Sequence, residues 1–351
     1  MLGNFIKTKP DLIPFVLVAA MIVLSGFASD IPDYQEYQMA YNRGGTSSGT
    51  EFLFDILIKC CKKVGLSYKD FRVVVAIVGF AFLFLAFRKI KKFTEINLTS
   101  LMTMYFFFPF ALDVVQIRNF LAMTLMLYAF TWLFDATYKS KVIFMACMLG
   151  AIGFQSIAIV YLPFILLDKV EKNKNLKRFL LGMCFMSAIL GINREYTIDL
   201  IMTIQRLIFK TDIRLFSYIN NQARFGWIVA WVIHFSNCFF TYQFYRILLK
   251  ENIENCNMKV AYAKKIYWVN IYLTVFLALY VINGNFFRIV RNVTALNNSS
   301  FLMLFNNKIR HKHMKLKCLY MLLILLQVVL YIIAPHFDDI VLKIFAKNLI
   351  M

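Results

Sequence analysis

Long apolar runs recur from one end of this chain to the other, and they restrict its fold more than any other feature. A helix that crosses a bilayer needs about 20 mostly apolar residues, at 1.5 Å per residue. By that measure spans lie near 12–29, 71–87, 98–112, 117–134, 176–192, 225–245, 266–282, 289–305 and 316–334. With 60% of its residues hydrophobic and only 17% charged, the chain has too little polar sequence to cover a soluble core. The sequence therefore predicts an all-α, polytopic transmembrane helix bundle, a single integral-membrane domain over residues 1–351.

The run from Val142 to Leu167 is the ambiguous one, and its flanking charge resolves it. Lys139 and Lys141 precede it, while Lys169, Lys172, Lys174, Lys177 and Arg178 follow. Lysine and arginine collect on the cytoplasmic side of membrane proteins, so a single span would strand one cluster outside. A short helical hairpin near 142–167, turning at "GAIGFQS", keeps both inside. The total becomes about 11 membrane segments. The same rule puts "RKIKK" at 88–92, Lys259, Lys264, Lys265 and "KIRHKHMKLK" at 308–317 inside, with the amino terminus cytoplasmic and the carboxyl terminus outside. The first run lacks a convincing cleavage site and reads as a retained helix. Within 193–224, Ile198, Ile201, Met202, Leu207 and Ile208 fall near helical spacing among charges, which predicts an interfacial helix in an outer loop.

Composition also excludes several chemistries. A net charge of +20 lies in short clusters between apolar runs and forms no nucleic-acid module. Seven scattered cysteines give neither a disulfide framework nor a zinc site, and no metal-ligating residues are assigned. Without a Gly-rich nucleotide loop, a Walker motif or a nucleophile elbow, no cofactor and no ATP-driven pumping are expected. His234, between Trp231 and Phe235, reads as a packing residue.

Against this background the stretch "FPFALDVVQIRNFLAM" stands out, because Asp113, Gln116 and Arg118 fall between two apolar runs. An arginine at a helix centre costs about 2.5–3.5 kcal/mol on insertion scales and less near the ends. An interface anchor would explain any one arginine. The segment "NFFRIVRNVTALNNSS" adds to it, since steps of three and four put Arg288, Arg291, Asn292, Ala295, Asn298 and Ser299 on one helical face. That polar stripe has to face a wet cavity or other helices, and the arginines that head it predict a cavity open to the outer leaflet, with Arg118, Arg288 and Arg291 suited to phosphate or pyrophosphate. The first outer loop holds Asp30, Asp33, Glu36, Glu51 and Asp55 among tyrosines such as Tyr34 and Tyr37. Carboxylates accept hydroxyl protons and rings stack on sugar faces, so a saccharide would suit this loop.

The order of these features resembles the EpsG family of exopolysaccharide-biosynthesis membrane proteins, which are Wzy-like polymerases. The matching stretches are "DYQEYQMAYN", "EFLFDILIKCCKKVGLSYKDF", "QIRNFLAMTLMLYAF", "GFQSIAIVYLPF" and "NFFRIV". The most telling is "QIRNFLA", where the family's arginine falls on Arg118. This chain departs from the family at the hairpin turn, where Gln155 stands in place of a histidine and cannot titrate. The resemblance implies transfer of a growing glycan from undecaprenyl pyrophosphate to a lipid-linked repeat unit at the outer face of the bacterial cytoplasmic (inner) membrane. It implies Arg118, Arg288 and Arg291 on the pyrophosphate, with Gln116, Gln155, Tyr34 and Tyr37 on the substrate. Asp113, Asp33 and Glu51 are the candidates for the base, with Asp113 favoured by its place beside "QIR". The expected partners are the lipid-linked oligosaccharide, the bilayer, and the chain-length regulator and flippase of the same pathway. A transporter or flippase for lipid-linked oligosaccharide and a membrane acyltransferase remain as alternatives.

Overall fold

The computed structural model describes residues 12–46, 50–135, 137–193, 195–200, 203, 226–251, 257–305, 309, 311–334 and 337–346. All regular structure among them is helical. The first half comprises α1 (Ile13–Phe27), α2 (Tyr34–Arg43), α3 (Phe52–Lys63), α4 (Tyr68–Thr94), α5 (Leu98–Phe107), α6 (Phe110–Val115), α7 (Ile117–Trp132) and α8 (Tyr138–Phe154). A 3-10 run over Ser156–Leu166 leads into α9 (Leu167–Lys172) and α10 (Lys174–Ile192). Then follow α11 (Gly226–Lys250), α12 (Asn257–Leu273), α13 (Leu277–Ile282), α14 (Arg288–Arg291), α15 (Thr294–Leu302) and α16 (Met314–Val328). The last described segment, Phe337–Ala346, is a π-helix.

Among the described residues four helical stretches are long and apolar enough to cross a membrane: Tyr68–Thr94, Lys174–Ile192, Met258–Ile282 and Met314–Ile333. The apolar helices Ile13–Phe27 and Leu98–Phe107 are shorter, so the expectation of about 11 membrane segments is met only in part. The expected interfacial helix over 193–224 lies almost wholly outside the described residues, which include helix only at 195–200 and 203. Two elements went unforeseen. The first outer loop, read as irregular, folds into α2 and α3, whose acids and bases sit at the ends the helix dipole favours: Glu36 and Asp55 in first turns, Arg43, Lys62 and Lys63 in last turns.

The hairpin over 142–167 is present. α8 stops at Phe154, the chain is extended at Gln155, and the 3-10 run packs back on α8. Its two ends meet at one ammonium group: Lys265 donates to the Leu133 carbonyl at 2.8 Å and pairs with Asp168 at 3.0 Å. Since Leu133 precedes the hairpin and Asp168 follows it, both ends lie at the same end of the bundle.

That end is held by lysines. Lys89 pairs with Asp135 at 3.2 Å and sits over the Trp132 ring, Lys264 pairs with Glu171 at 2.6 Å, and Lys259 pairs with Glu95. The opposite ends of the same helices carry arginine: Arg72 near the start of α4 and Arg118 at the start of α7. α4 starts cleanly because Ser67 and Asp70 form a capping box, with the Ser67 hydroxyl 2.6 Å from the Asp70 carboxylate.

The centre of the bundle is α15, buried at every residue from Thr294 to Phe301 and packed on α5, α11 and α12. Of the two surroundings open to it, the polar stripe meets neighbouring helices where it runs into α15. Asn292 and Asn119 exchange amide hydrogen bonds of 3.0 and 2.9 Å, and Asn297 and Asn270 exchange bonds of 3.3 and 2.8 Å. Tyr320 donates to Asn298 at 3.0 Å, and the Tyr262 and Ser299 hydroxyls lie 2.7 Å apart. A buried amide without a partner would cost about 1–3 kcal/mol, so reciprocal pairs are how a polar helix occupies the centre. The helix is also interrupted, since α14 ends at Arg291 and α15 starts at Thr294.

Candidate functional site

The arginine end of the bundle gathers residues from α2, α3, α6, α7 and α14. Glu51 precedes the first turn of α3, and Arg118 lies in the first turn of α7. The Arg118 Nη1 donates to Glu51 Oε2 at 2.6 Å, with the arginine side chain 19% and the glutamate 5% exposed. The same guanidinium lies 5.2 Å from the Tyr37 ring centre and 6.0 Å from that of Phe54. Aromatic faces and one carboxylate hold the cation near the surface and fix its direction.

Asp33 enters α2 with φ 62°, a left-handed conformation that Asp tolerates better than most residues. One helical turn later comes Tyr37, on the same face. The Asp33 carboxyl is accessible, yet partial burial in the loop holds it above the usual carboxylate range. Repulsion from Glu36 adds to that rise, while Arg288 and Arg118 pull the other way. Burial likewise raises the Tyr37 phenol, opposed by Arg118. Asp33 thus lies within the field of two guanidinium groups.

The three arginines differ in what neutralises them. Arg118 has Glu51. Arg291, on α14, donates from Nη2 to Gln116 Oε1 at 2.8 Å and lies 3.5 Å from Asp113 Oδ1. Tyr105 donates to the other Asp113 oxygen at 2.9 Å, so this carboxylate is 2% exposed with both oxygens engaged. Arg288 is half-buried and donates from Nε to the Asn285 carbonyl at 2.8 Å. Among the described residues no carboxylate lies within ion-pair distance of it. Of these three arginines, Arg288 is the one whose charge is open to an incoming anion.

The remaining sequence candidates separate. Tyr34 turns away from the cluster: its ring lies 5.4 Å from the Arg72 guanidinium and its carbonyl accepts from Tyr68 at 3.3 Å. Gln155 stands at the extended break of the hairpin, on the helix that packs against α3, and its side chain makes no hydrogen bond to the arginines among the described residues. The hairpin does reach the site through Tyr161, which donates to the Ile289 carbonyl between Arg288 and Arg291 at 2.9 Å.

Arg72 is a residue that sequence reasoning did not single out. It is 2% exposed, and its Nη2 donates to the Ser25 carbonyl at 3.0 Å and the Val114 carbonyl at 3.4 Å. One side chain thus joins the end of α1 to the residue after Asp113, beneath the first residue of α2. Its signal was its register, since Tyr68, Arg72, Val75, Ala76 and Gly79 share the buried face of α4.

The family model for the EpsG family matches residues 11–343, nearly the whole chain. The chain belongs to the EpsG family. Membership makes it a multi-pass membrane protein related to polysaccharide biosynthesis. Neither the curated proteins nor the solved structures compared with it include a match. In this EpsG-family chain the matched span contains every residue of the arginine cluster. Among the described residues no group of histidines, cysteines and carboxylates is arranged to hold a metal ion.

Proposed function

We propose that the chain is a Wzy-like polysaccharide polymerase that moves a growing glycan from undecaprenyl pyrophosphate to a lipid-linked repeat unit. The reaction takes place at the outer face of the cytoplasmic membrane. The observation that carries this reading is the accessible Asp33 carboxylate in the field of Arg118 and Arg288, at the bundle end opposite the lysine pairs. Lysine clusters mark the cytoplasmic side, so the arginine end faces out, with the amino terminus inside and the carboxyl terminus outside.

The residues have separate work. Arg288 and Arg118 take the pyrophosphate, whose developing charge is the largest obstacle to departure. The bond between the anomeric carbon and the pyrophosphate oxygen breaks, and the acceptor hydroxyl forms the new glycosidic bond. Asp33 accepts the proton of that hydroxyl, and the lipid pyrophosphate leaves as the anion. Its accessibility favours Asp33 over Asp113 and Glu51, whose carboxylates hold arginines in place. Tyr37 stacks on a sugar ring, and Gln155 hydrogen-bonds substrate at the hairpin turn without titrating. Against a transport path through the centre stands α15, buried from Thr294 to Phe301 with Asn297 paired to Asn270.

The test is chain growth on purified protein in nanodiscs supplied with the lipid-pyrophosphate-linked repeat unit. Wild type should lengthen the glycan without nucleotide, and Arg288→Ala should stop it while the protein stays folded. Binding of the lipid without any joining of two units would remove the polymerase reading and favour transport.

A further inference from the structure

At the lysine end, far from the arginine cluster, lies a cavity of about 750 Å³. That is within the range of sites for small molecules, about 300–1,000 Å³. It is bounded by the end of α4, the linker into α5, the start of α12, the end of α15 and Met321 of α16. Its two walls differ. One is hydroxyl-bearing: Thr99, Ser100 and Thr103 come from one face of α5, joined by Thr94. The other is apolar, from Phe301, Leu302, Phe305 and Met321.

The ion pair of Lys259 and Glu95 stands at this cavity and selects the ligand. The lysine side chain is 6% exposed and the glutamate 76%, so the pair has a buried positive pole and an open negative one. Together they carry no net charge. An anion would gain Lys259 but meet Glu95, and a cation would meet the reverse. A ligand with one charge of each sign can take both partners, leaving neither lysine nor glutamate stranded.

We infer that this cavity binds the headgroup of a zwitterionic aminophospholipid from the leaflet on the lysine side. The phosphate lies on Lys259, the ammonium on Glu95, and the hydroxyls of Ser100 and Thr103 face the phosphate and ester oxygens. The acyl chain follows the apolar wall past Phe305 and Met321. This site is independent of the glycan chemistry proposed above, and its test reads lipid binding alone.

Native mass spectrometry of the delipidated full chain, offered equal phosphatidylethanolamine and phosphatidylglycerol, tests the inference. Wild type should retain the zwitterionic lipid about tenfold over the anionic one, the worth of one charge-assisted contact. Glu95→Gln should bring the ratio near one by removing the ammonium partner. Thr103→Trp, which puts an indole ring into the headgroup end of the cavity, should lose the retained lipid while the unfolding temperature stays within a few degrees. An equal ratio in wild type, or one unmoved by either variant, would mean lipid coating the outside only and would overturn the site. Displacement of the lipid by a neutral disaccharide would also overturn it, making the cavity a saccharide site.

Discussion

Arg118 reaches across 67 residues of sequence to put its guanidinium 2.6 Å from the Glu51 carboxylate, tying the first turn of α7 to the start of α3. A lysine could keep this charge but could not hold a carboxylate, two rings and a phosphate with one planar group. Arg118→Lys should therefore lower chain growth by about tenfold and Arg118→Ala by about a hundredfold. Glu51→Ala should reduce stability by about 1–3 kcal/mol, because it leaves a mostly buried cation without its acid. Gel assays of glycan length and thermal unfolding in detergent measure the two effects. Full activity in Arg118→Lys would show that only charge matters there.

As the base of the proposed reaction, Asp33 predicts a pH dependence. A base must be ionised to accept a proton, and desolvation in the loop holds this carboxyl above its ordinary value. Chain growth should rise with pH on a limb whose midpoint lies above the usual carboxylate value, and fall away below it. In Asp33→Asn the whole profile should drop and this limb should vanish. A limb that survives the substitution would assign it to another acid.

Arg72 separates position from stability. Arg72→Met keeps the apolar stem and removes a desolvated charge, so its loss of two charged hydrogen bonds is partly offset. Stability should change by less than about 2 kcal/mol. Chain growth should fall by about tenfold, because Asp113 and the start of α2 lose their common tie. Unfolding curves and kcat together decide; unchanged kcat would leave Arg72 a purely structural residue.

The amide pair of Asn119 and Asn292 gives a direct energetic test. Each single change to Ala should cost about 1–3 kcal/mol, since it orphans the other amide. The double variant should cost less than the sum, with a coupling of about 0.6–2 kcal/mol in the membrane. Strict additivity in a double-mutant cycle would show that the two amides do not share a bond.

Much of this protein was legible in one dimension because bilayer physics acts locally. Apolar length marks a span and lysine marks a side, so helices, hairpin and the gathering of lysines at one end could be read without knowing which helix touches which. The rule that arginine near a span needs a reason singled out Arg118, Arg288 and Arg291 for the same cause. What remained hidden was every choice of partner. Periodicity put Asn292, Asn298 and Ser299 on a common face, but whether that face met water or Asn119, Tyr320 and Tyr262 depended on helices remote in sequence. Asp113, Glu51 and Asp33 looked alike as letters, and only packing buried the first two against Arg291 and Arg118 while leaving the third exposed in the field of two arginines. Transfer into a membrane is a property of a segment, whereas pairing and burial are properties of where several segments meet.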